Sequence, residues 1–273
     1  MPGVGRPVVQ VNSVSKVYGN GTVALTGVDM ALKAGEFVSL LGPSGCGKST
    51  LLRLMAGLGS PSSGRIAWWE QDHSVVGTHG HRLAYVFQDP SLMPWANVER
   101  NVYLPLKLAS VSRRKADQPV ARALEMVGLN DFREAYPREL SGGMQMRVSI
   151  ARALVTSPNL LFMDEPFGAL DEMTRARLNQ DLLSLWYANK WTIAFVTHSI
   201  YEAVFLSSRV MVMAARPGRV VADITVDAPY PRTDSFRNSA EYHQYCRTLS
   251  QCLAKASEPQ QGDRYDGKET AAD

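Results

Sequence analysis

The sequence predicts an α/β fold: a mixed sheet core with an N-terminal antiparallel β portion and an inserted helical stretch. Three observations carry this. EFVSLLG at 36–42 is a short unbroken apolar run, the character of a strand buried on both faces. It feeds a glycine-rich turn and then STLLRLMAGL, a helical pattern that stops at glycine. Further on, the apolar runs LLFMDEP, TIAFVTH and RVMVMA each follow a helical segment, as parallel pairing requires.

The remaining elements follow in order. VVQVNSVSKVYG, TVALTGVDMAL and GRIAWWE alternate apolar with polar residues between Gly and Asn breaks, and read as antiparallel strands. LAYVFQ at 83–88 is a further strand. From about Pro90 to Pro158 the pattern is helical, in NVERNVYLPLKL, RKADQPVARALEMVGL and GMQMRVSIARAL, which sets a helical subdomain at about 90–157. VVADITV and a short helix from about Arg237 to Ala256 close the fold over 8–258, a length open to one compact domain with an appendage or to two small domains, and the polar stretch 259–273 is expected to be a disordered tail.

The chain has 273 residues, 45% hydrophobic and 20% charged, enough for a large core of ordinary globular composition. A net charge of +3 is far from the dense basic face of a nucleic-acid binder, so no nucleic-acid partner is expected. Cys46, Cys246 and Cys252 are odd in number and spaced for neither zinc nor a disulfide framework. No apolar signal core opens the chain, and no window approaches the ~18 apolar residues needed to cross a bilayer. A cytosolic chain, or one held at a membrane by a partner, fits these features.

Three stretches carry chemistry. GPSGCGKST, formed by Gly42, Pro43, Ser44, Gly45, Cys46, Gly47, Lys48, Ser49 and Thr50, matches G-x-x-x-x-G-K-[ST] between a strand and a helix. Its backbone N–H groups are free to wrap phosphates, Lys48 offers charge to the β- and γ-phosphates, and Ser49 offers a hydroxyl to Mg²⁺. LLFMDEP ends an apolar strand in two acids. Neighbours on a strand point to opposite faces, so Asp164 is expected to hold Mg²⁺ while Glu165 orients or deprotonates a water. ELSGGMQMR at 139–147 is a second anion-binding helix start, with Ser141, Gly142 and Gly143 at its mouth but no lysine.

In this order the three stretches resemble the nucleotide-binding subunits of ATP-binding cassette (ABC) transporters, over about Val9 to Val226. The resemblance implies an ABC-type phosphate-loop NTPase fold, ATP and Mg²⁺ as cofactors, and ATP hydrolysis that powers transport at the cytoplasmic face of a membrane. It implies that Ser141, Gly142 and Gly143 grip the γ-phosphate of ATP held by a second copy, which accounts for the missing lysine. Tyr18 matches the aromatic that stacks on adenine. Gln88 matches the glutamine that meets Mg²⁺ and senses the membrane subunit. Asp171 matches the loop that talks across the dimer, and His198 the switch histidine at the γ-phosphate. The implied partners are a second copy, two membrane-spanning permease subunits docking around Leu92 to Val98, and indirectly a substrate-binding protein. SLMPWANV, MRVSIARALV, PFGALDEMTR and RPGRVV look like the importers for nitrate, sulfonate, taurine and bicarbonate. Met144, Gly168 and Ser199 depart from the commonest pattern without removing a phosphate ligand.

Other features read as structural. His73 with the HGH at 79–81 lacks the ligands of a metal site. Arg113, Arg114 and Lys115 read as a solvated helix start, and Trp68 and Trp69 as strand packing. Cys46 is not catalytic, but a thiol reagent there is expected to block ATP. The rival readings are a DNA-maintenance cassette ATPase, an export or lipoprotein-release ATPase, a phosphate-loop kinase and a non-enzymatic ATP-binding regulator. The first would carry a coiled coil or zinc insertion, and a kinase would have no use for LSGGM.

Overall fold

The computed structural model describes residues 7–69, 82–215 and 217–257. The polar tail, His73 and the HGH at 79–81 lie outside them. β1 (Pro7–Val17), β2 (Val23–Lys33) and β4 (Ser63–Trp68) form an antiparallel sheet in the order β2-β1-β4. β3 (Phe37–Leu41), β5 (Leu83–Val86), β6 (Leu160–Asp164), β7 (Thr192–Thr197), β8 (Arg209–Ala214) and β9 (Arg219–Thr225) form a second sheet in the order β5-β6-β7-β3-β8-β9. Its pairs are parallel except β8 with β9.

The continuous apolar runs are explained by the two faces of this second sheet. Every residue of β3, β6 and β7 is buried. Because side chains alternate along a strand, Phe37, Leu161, Ile193 and Phe195 enter one core while Val38, Leu40, Phe162 and Val196 enter another. The second core is closed by the antiparallel sheet and by α1 (Lys48–Met55). The first is closed by helices, chiefly α4 (Gly142–Leu154), α5 (Glu172–Asn189), α6 (Ile200–Leu206) and α8 (Ala240–Ser257). Between β5 and β6 the chain forms α2 (Val98–Leu108) and α3 (Arg113–Met126), which pack with α4. Asn97 caps α2 by accepting from the Arg100 N–H at 3.0 Å.

Several expectations are corrected. β5 stops at Val86, so Phe87 and Gln88 lie past its end, whereas β6 ends at Asp164 as expected. The C-terminal helix keeps the expected extent to within three residues, as α8 (Ala240–Ser257), but a separate turn of helix, α7 (Asp234–Arg237), precedes it. The break falls at Asn238 and Ser239, and the Ser239 hydroxyl accepts from the Tyr242 N–H at 3.1 Å. Arg113 is not simply solvated, since it pairs with Glu99 and stacks 4.8 Å from the Tyr103 ring. Trp68 and Trp69 pack as expected: Trp68 is buried and donates to the Met55 carbonyl at 2.7 Å, and Trp69, just past the strand in the left-handed region, packs against the same core.

Arg232 is fully buried. Nη1 donates to the carbonyls of Val204, Phe205 and Ser207 at 2.8, 3.2 and 2.8 Å. Nη2 donates to Val226 and Ala228 at 3.1 and 3.3 Å. Three of these five acceptors belong to the C-terminal end of α6, where carbonyls lack a following turn and the helix dipole favours a cation. Burial pulls its pKa below the ordinary guanidinium value.

Candidate functional site: a phosphate-loop cleft

The functional residues gather where parallel strands end, the usual crevice of an α/β sheet. Beyond β3 the chain turns through Gly42 to Gly47 and enters α1. Gly47 has φ 90°, and a Cβ there would stand 2.8 Å from the Ala24 carbonyl oxygen, so only glycine fits. No side chain caps α1 and no acid occupies its first turn, which leaves its N–H groups open to an anion.

Lys48 is 5% exposed and folds back over the loop, donating to the carbonyls of Gly42 and Pro43 at 2.9 and 3.0 Å. Its ammonium lies 3.8 Å from Glu165 Oε1, and His198 Nδ1 lies 3.4 Å from Glu165 Oε2. Glu165 therefore stands between a lysine and a histidine. The expected alternation of Asp164 and Glu165 along a strand is not what separates them. Glu165 is past β6, in the left-handed region at φ 45°, with its N–H donating to Val196 at 3.1 Å. A β-strand neighbour would have pointed away from Asp164; this kink turns the carboxylate into the cleft instead. Such backbone is strained for a residue with a Cβ.

Asp164 is nearly buried, and two hydroxyls hold its oxygens. Ser49 donates to Oδ1 at 2.7 Å and Tyr85 to Oδ2 at 3.0 Å. Burial, reinforced by the Asp164 charge and opposed by Arg53, pushes the Tyr85 pKa well above its usual value, so its hydroxyl stays a donor. Tyr18 approaches across the cleft, its hydroxyl 3.1 Å from Thr50 Oγ1, and the residue is 43% exposed. The cleft has a volume of about 480 Å³ and is lined by Tyr18, Ser44, Lys48, Ser49 and Glu165, with Gly218 on its wall.

The structure does not bring every sequence candidate here. Gln88 is exposed and outside the cleft lining. Ser141 and Gly142 are exposed at the start of α4, with the Ser141 hydroxyl accepting from the Met144 N–H at 3.3 Å. Gly143 packs so tightly on α5 that a Cβ would meet Thr174 Cγ2 at 2.8 Å. Asp171 caps α5, accepting from the Thr174 N–H at 3.0 Å, and this bond holds its carboxyl below the ordinary range. None of Ser141, Gly142, Gly143 or Asp171 lines the cleft. The thiol-reagent expectation at Cys46 is corrected: the side chain is fully buried and burial raises its pKa, leaving the thiolate scarce.

Sequence reasoning missed Tyr85 and Gly218. Tyr85 sits opposite Phe162 in the β5–β6 ladder, one step from Asp164 on the same face, a register invisible before the strand order is known. Gly218 exchanges two backbone bonds with β2, to Ala24 and from Thr26, and a Cβ there would collide with the Cys46 carbonyl. Its only signal was the glycine of RPGRVV.

Behind His198 lies a polar cluster. Thr197 donates to Glu202 Oε2 at 2.5 Å, Asn179 donates to Oε1 at 3.3 Å, and Arg175 lies 3.9 Å from Oε1. Arg175 also donates to the Leu170 carbonyl at 2.8 Å, so α5 joins the Asp171 loop to the base of α6.

Comparison with known proteins places this geometry in a family. The ABC transporter family model matches residues 25–168, a span that includes the phosphate loop, the SGG helix start and Glu165. The aliphatic sulfonates import ATP-binding protein of Bacillus cereus is 41% identical over 89% of this chain and 94% of its own length. The nitrate import ATP-binding protein of Synechocystis is 41% identical over 90% of this chain and 94% of its own. Among solved structures, an ATP-binding cassette in a dimeric post-hydrolysis state with ADP and Pi superposes with a TM-score of 0.70 at 31% identity. It covers 81% of this chain and 100% of its own. Among the described residues no helix is long and apolar enough to cross a membrane. The chain belongs to the ABC transporter family, as an ATP-binding subunit that hydrolyses ATP to drive transport.

Proposed function

We propose that the chain energises uptake of a small anion, such as nitrate, a sulfonate or taurine, and that it does so as a pair of copies. The observation that carries the pairing is the separation of two anion-binding helix starts within one chain. One opens into the cleft beside Lys48; the other, at Ser141 and Gly142, faces solvent away from it. A second copy supplies the second grip. ATP then touches two surfaces when the pair is closed and one when it is open, so binding favours closure and hydrolysis releases it.

In this reading Lys48 and the first N–H groups of α1 hold the β- and γ-phosphates, and Tyr18 stacks on adenine. Ser141, Gly142 and Gly143 of one copy close on the γ-phosphate held by the other, and Asp171 faces the second copy. Glu165 takes a proton from the attacking water. His198, in contact with Glu165, orients that water and the γ-phosphate. Ser49 and Asp164 offer hard oxygen donors side by side and fit Mg²⁺ with phosphate and water completing the shell, and Gln88 joins them on closure. When bound, Mg²⁺ neutralises charge on the β- and γ-phosphates.

Residues 8–258 act as one ATP-binding unit, with the helical part at about 90–157 offering the docking face for two permease subunits. A groove of about 470 Å³ between Met93, Trp95, Tyr103 and Arg113 supports this, with Trp95 75% exposed on it. The chain thus sits on the cytoplasmic face of the membrane, and a separate substrate-binding protein delivers the anion. The transported class rests on the sulfonate and nitrate relatives.

The test is the solution mass of Glu165→Gln with and without ATP and Mg²⁺. A monomer that becomes a dimer on ATP, and fails to do so when Ser141→Arg is added, is the expected result. Glu165→Gln should also bind ATP while losing most turnover. Unchanged turnover, or a dimer indifferent to Ser141→Arg, overturns the reading.

A further inference from the structure

We propose that Tyr85 is a positioning residue for the divalent cation: its hydroxyl fixes the orientation of the Asp164 carboxylate and so sets how tightly the site holds metal. This rests on the reading that Ser49 and Asp164 hold Mg²⁺. Asp164 is 4% exposed, so its carboxylate has little water to orient it. Two hydroxyls do so instead, Ser49 on Oδ1 and Tyr85 on Oδ2. Ser49 is itself a metal candidate on a phosphate-binding helix. Tyr85 is the holder outside the phosphate loop, on a different strand, and it occupies the oxygen that Ser49 leaves.

The placement follows from register. Tyr85 pairs with Phe162, and Val86 with Met163, so Asp164 lies one step beyond the last pair. Tyr85 and Leu83 pack against the same core as Phe162, which puts the phenol on the face toward which Asp164 points. The Phe87 ring lies 4.5 Å from the Tyr85 ring and leans on it from the strand end. The ring would pack equally well as phenylalanine, so packing alone gives the hydroxyl no purpose. Its hydrogen bond goes to the carboxylate: without it, Ser49 alone holds Asp164, and one bond fixes the terminal torsion less firmly than two. Partners that orient a metal ligand typically change metal affinity by about 10–100-fold when removed. Because phosphates supply much of the Mg²⁺ shell here, the lower end of that range applies.

The experiment compares wild type, Tyr85→Phe and Asp164→Asn as full chains. Mn²⁺ binding in the presence of ATP is read by electron paramagnetic resonance, ATP binding without divalent cation by calorimetry, and folding by thermal melting. For Tyr85→Phe the expected result is Mn²⁺ affinity lowered about tenfold, with metal-free ATP binding unchanged and the chain still folded, its melting lowered only by the modest cost of one donor lost to a nearly buried carboxylate. Mg²⁺ required for half-maximal turnover should rise in parallel, while the rate at saturating Mg²⁺ recovers. Mn²⁺ affinity within about twofold of wild type overturns the inference, as does an equal loss of metal-free ATP binding, which would mark a packing role. If Asp164→Asn also leaves Mn²⁺ affinity intact, the metal-site reading itself fails; if only Tyr85→Phe is silent, that reading stands and this inference falls.

Discussion

Removing the Arg232 guanidinium should destabilise the chain by about 3 kcal/mol, and the structure shows where the loss arises. In Arg232→Met the side chain keeps similar bulk beside Tyr230 and Phe236, whose rings lie 4.1 and 5.0 Å from the guanidinium carbon. The three carbonyls at the α6 end lose their donor, at about 1–3 kcal/mol each when buried. That sums to about 3–9 kcal/mol. Against it, the variant no longer desolvates a cation, whose effective cost is several kcal/mol. The lower end of the range is therefore expected. Urea denaturation followed by both fluorescence and circular dichroism is the assay, accepted where the two transitions coincide. With an m value of about 3 kcal/mol/M, 3 kcal/mol lowers the midpoint by about 1 M. Arg232→Lys should fall between, since one ammonium cannot reproduce a planar fork reaching five carbonyls. A midpoint within about 0.2 M of wild type for Arg232→Met would refute the reasoning and mean that the carbonyls find other donors.

Two further outcomes follow from the site's surroundings. Cys46 should resist maleimide in the native chain far longer than in urea, as read by mass spectrometry of the labelled peptide, and rapid native labelling would contradict its burial. Its raised thiol pKa favours the neutral form in the folded chain, so stability from this group is full below about 9, the ordinary value, and is lost as pH rises beyond it. Glu202→Gln weakens the acceptor for Thr197 and Asn179, and should cost about 1–3 kcal/mol in chemical denaturation. A parallel fall in turnover with unchanged KM for ATP would show that the cluster behind His198 positions it, and an unchanged turnover that it does not.

The parts of this molecule legible in the sequence are those set by local chemistry. Glycine spacing at 42–47 and the unbroken apolar run before it announced the phosphate loop, because a buried strand and a tight anion-binding turn each demand particular residues over a few positions. The SGG helix start was legible for the same reason. What escaped depends on contacts distant along the chain. Arg232 looks like an exposed residue in a proline-rich linker, and only the return of that linker to the α6 end buries it. Tyr85 meets Asp164 across 79 positions, through a pairing that no pattern in either strand encodes. Strand alternation predicts that Asp164 and Glu165 take separate roles, and the structure separates them by a left-handed kink past the strand end instead. The C-terminal helix is legible to within three residues, and what the pattern does not show is the separate turn of helix before it, which ends at Asn238.

That kink at Glu165 has an evolutionary edge. A left-handed backbone costs an ordinary residue about 1–2 kcal/mol that glycine does not incur. The position therefore sits on a slope along which thermal tolerance improves while the carboxylate between Lys48 and His198 disappears. A laboratory selection that rewarded survival of heat alone would descend it and return a sturdier protein unable to turn over its nucleotide. Only a screen that also demands transport would keep the acid in its uncomfortable place.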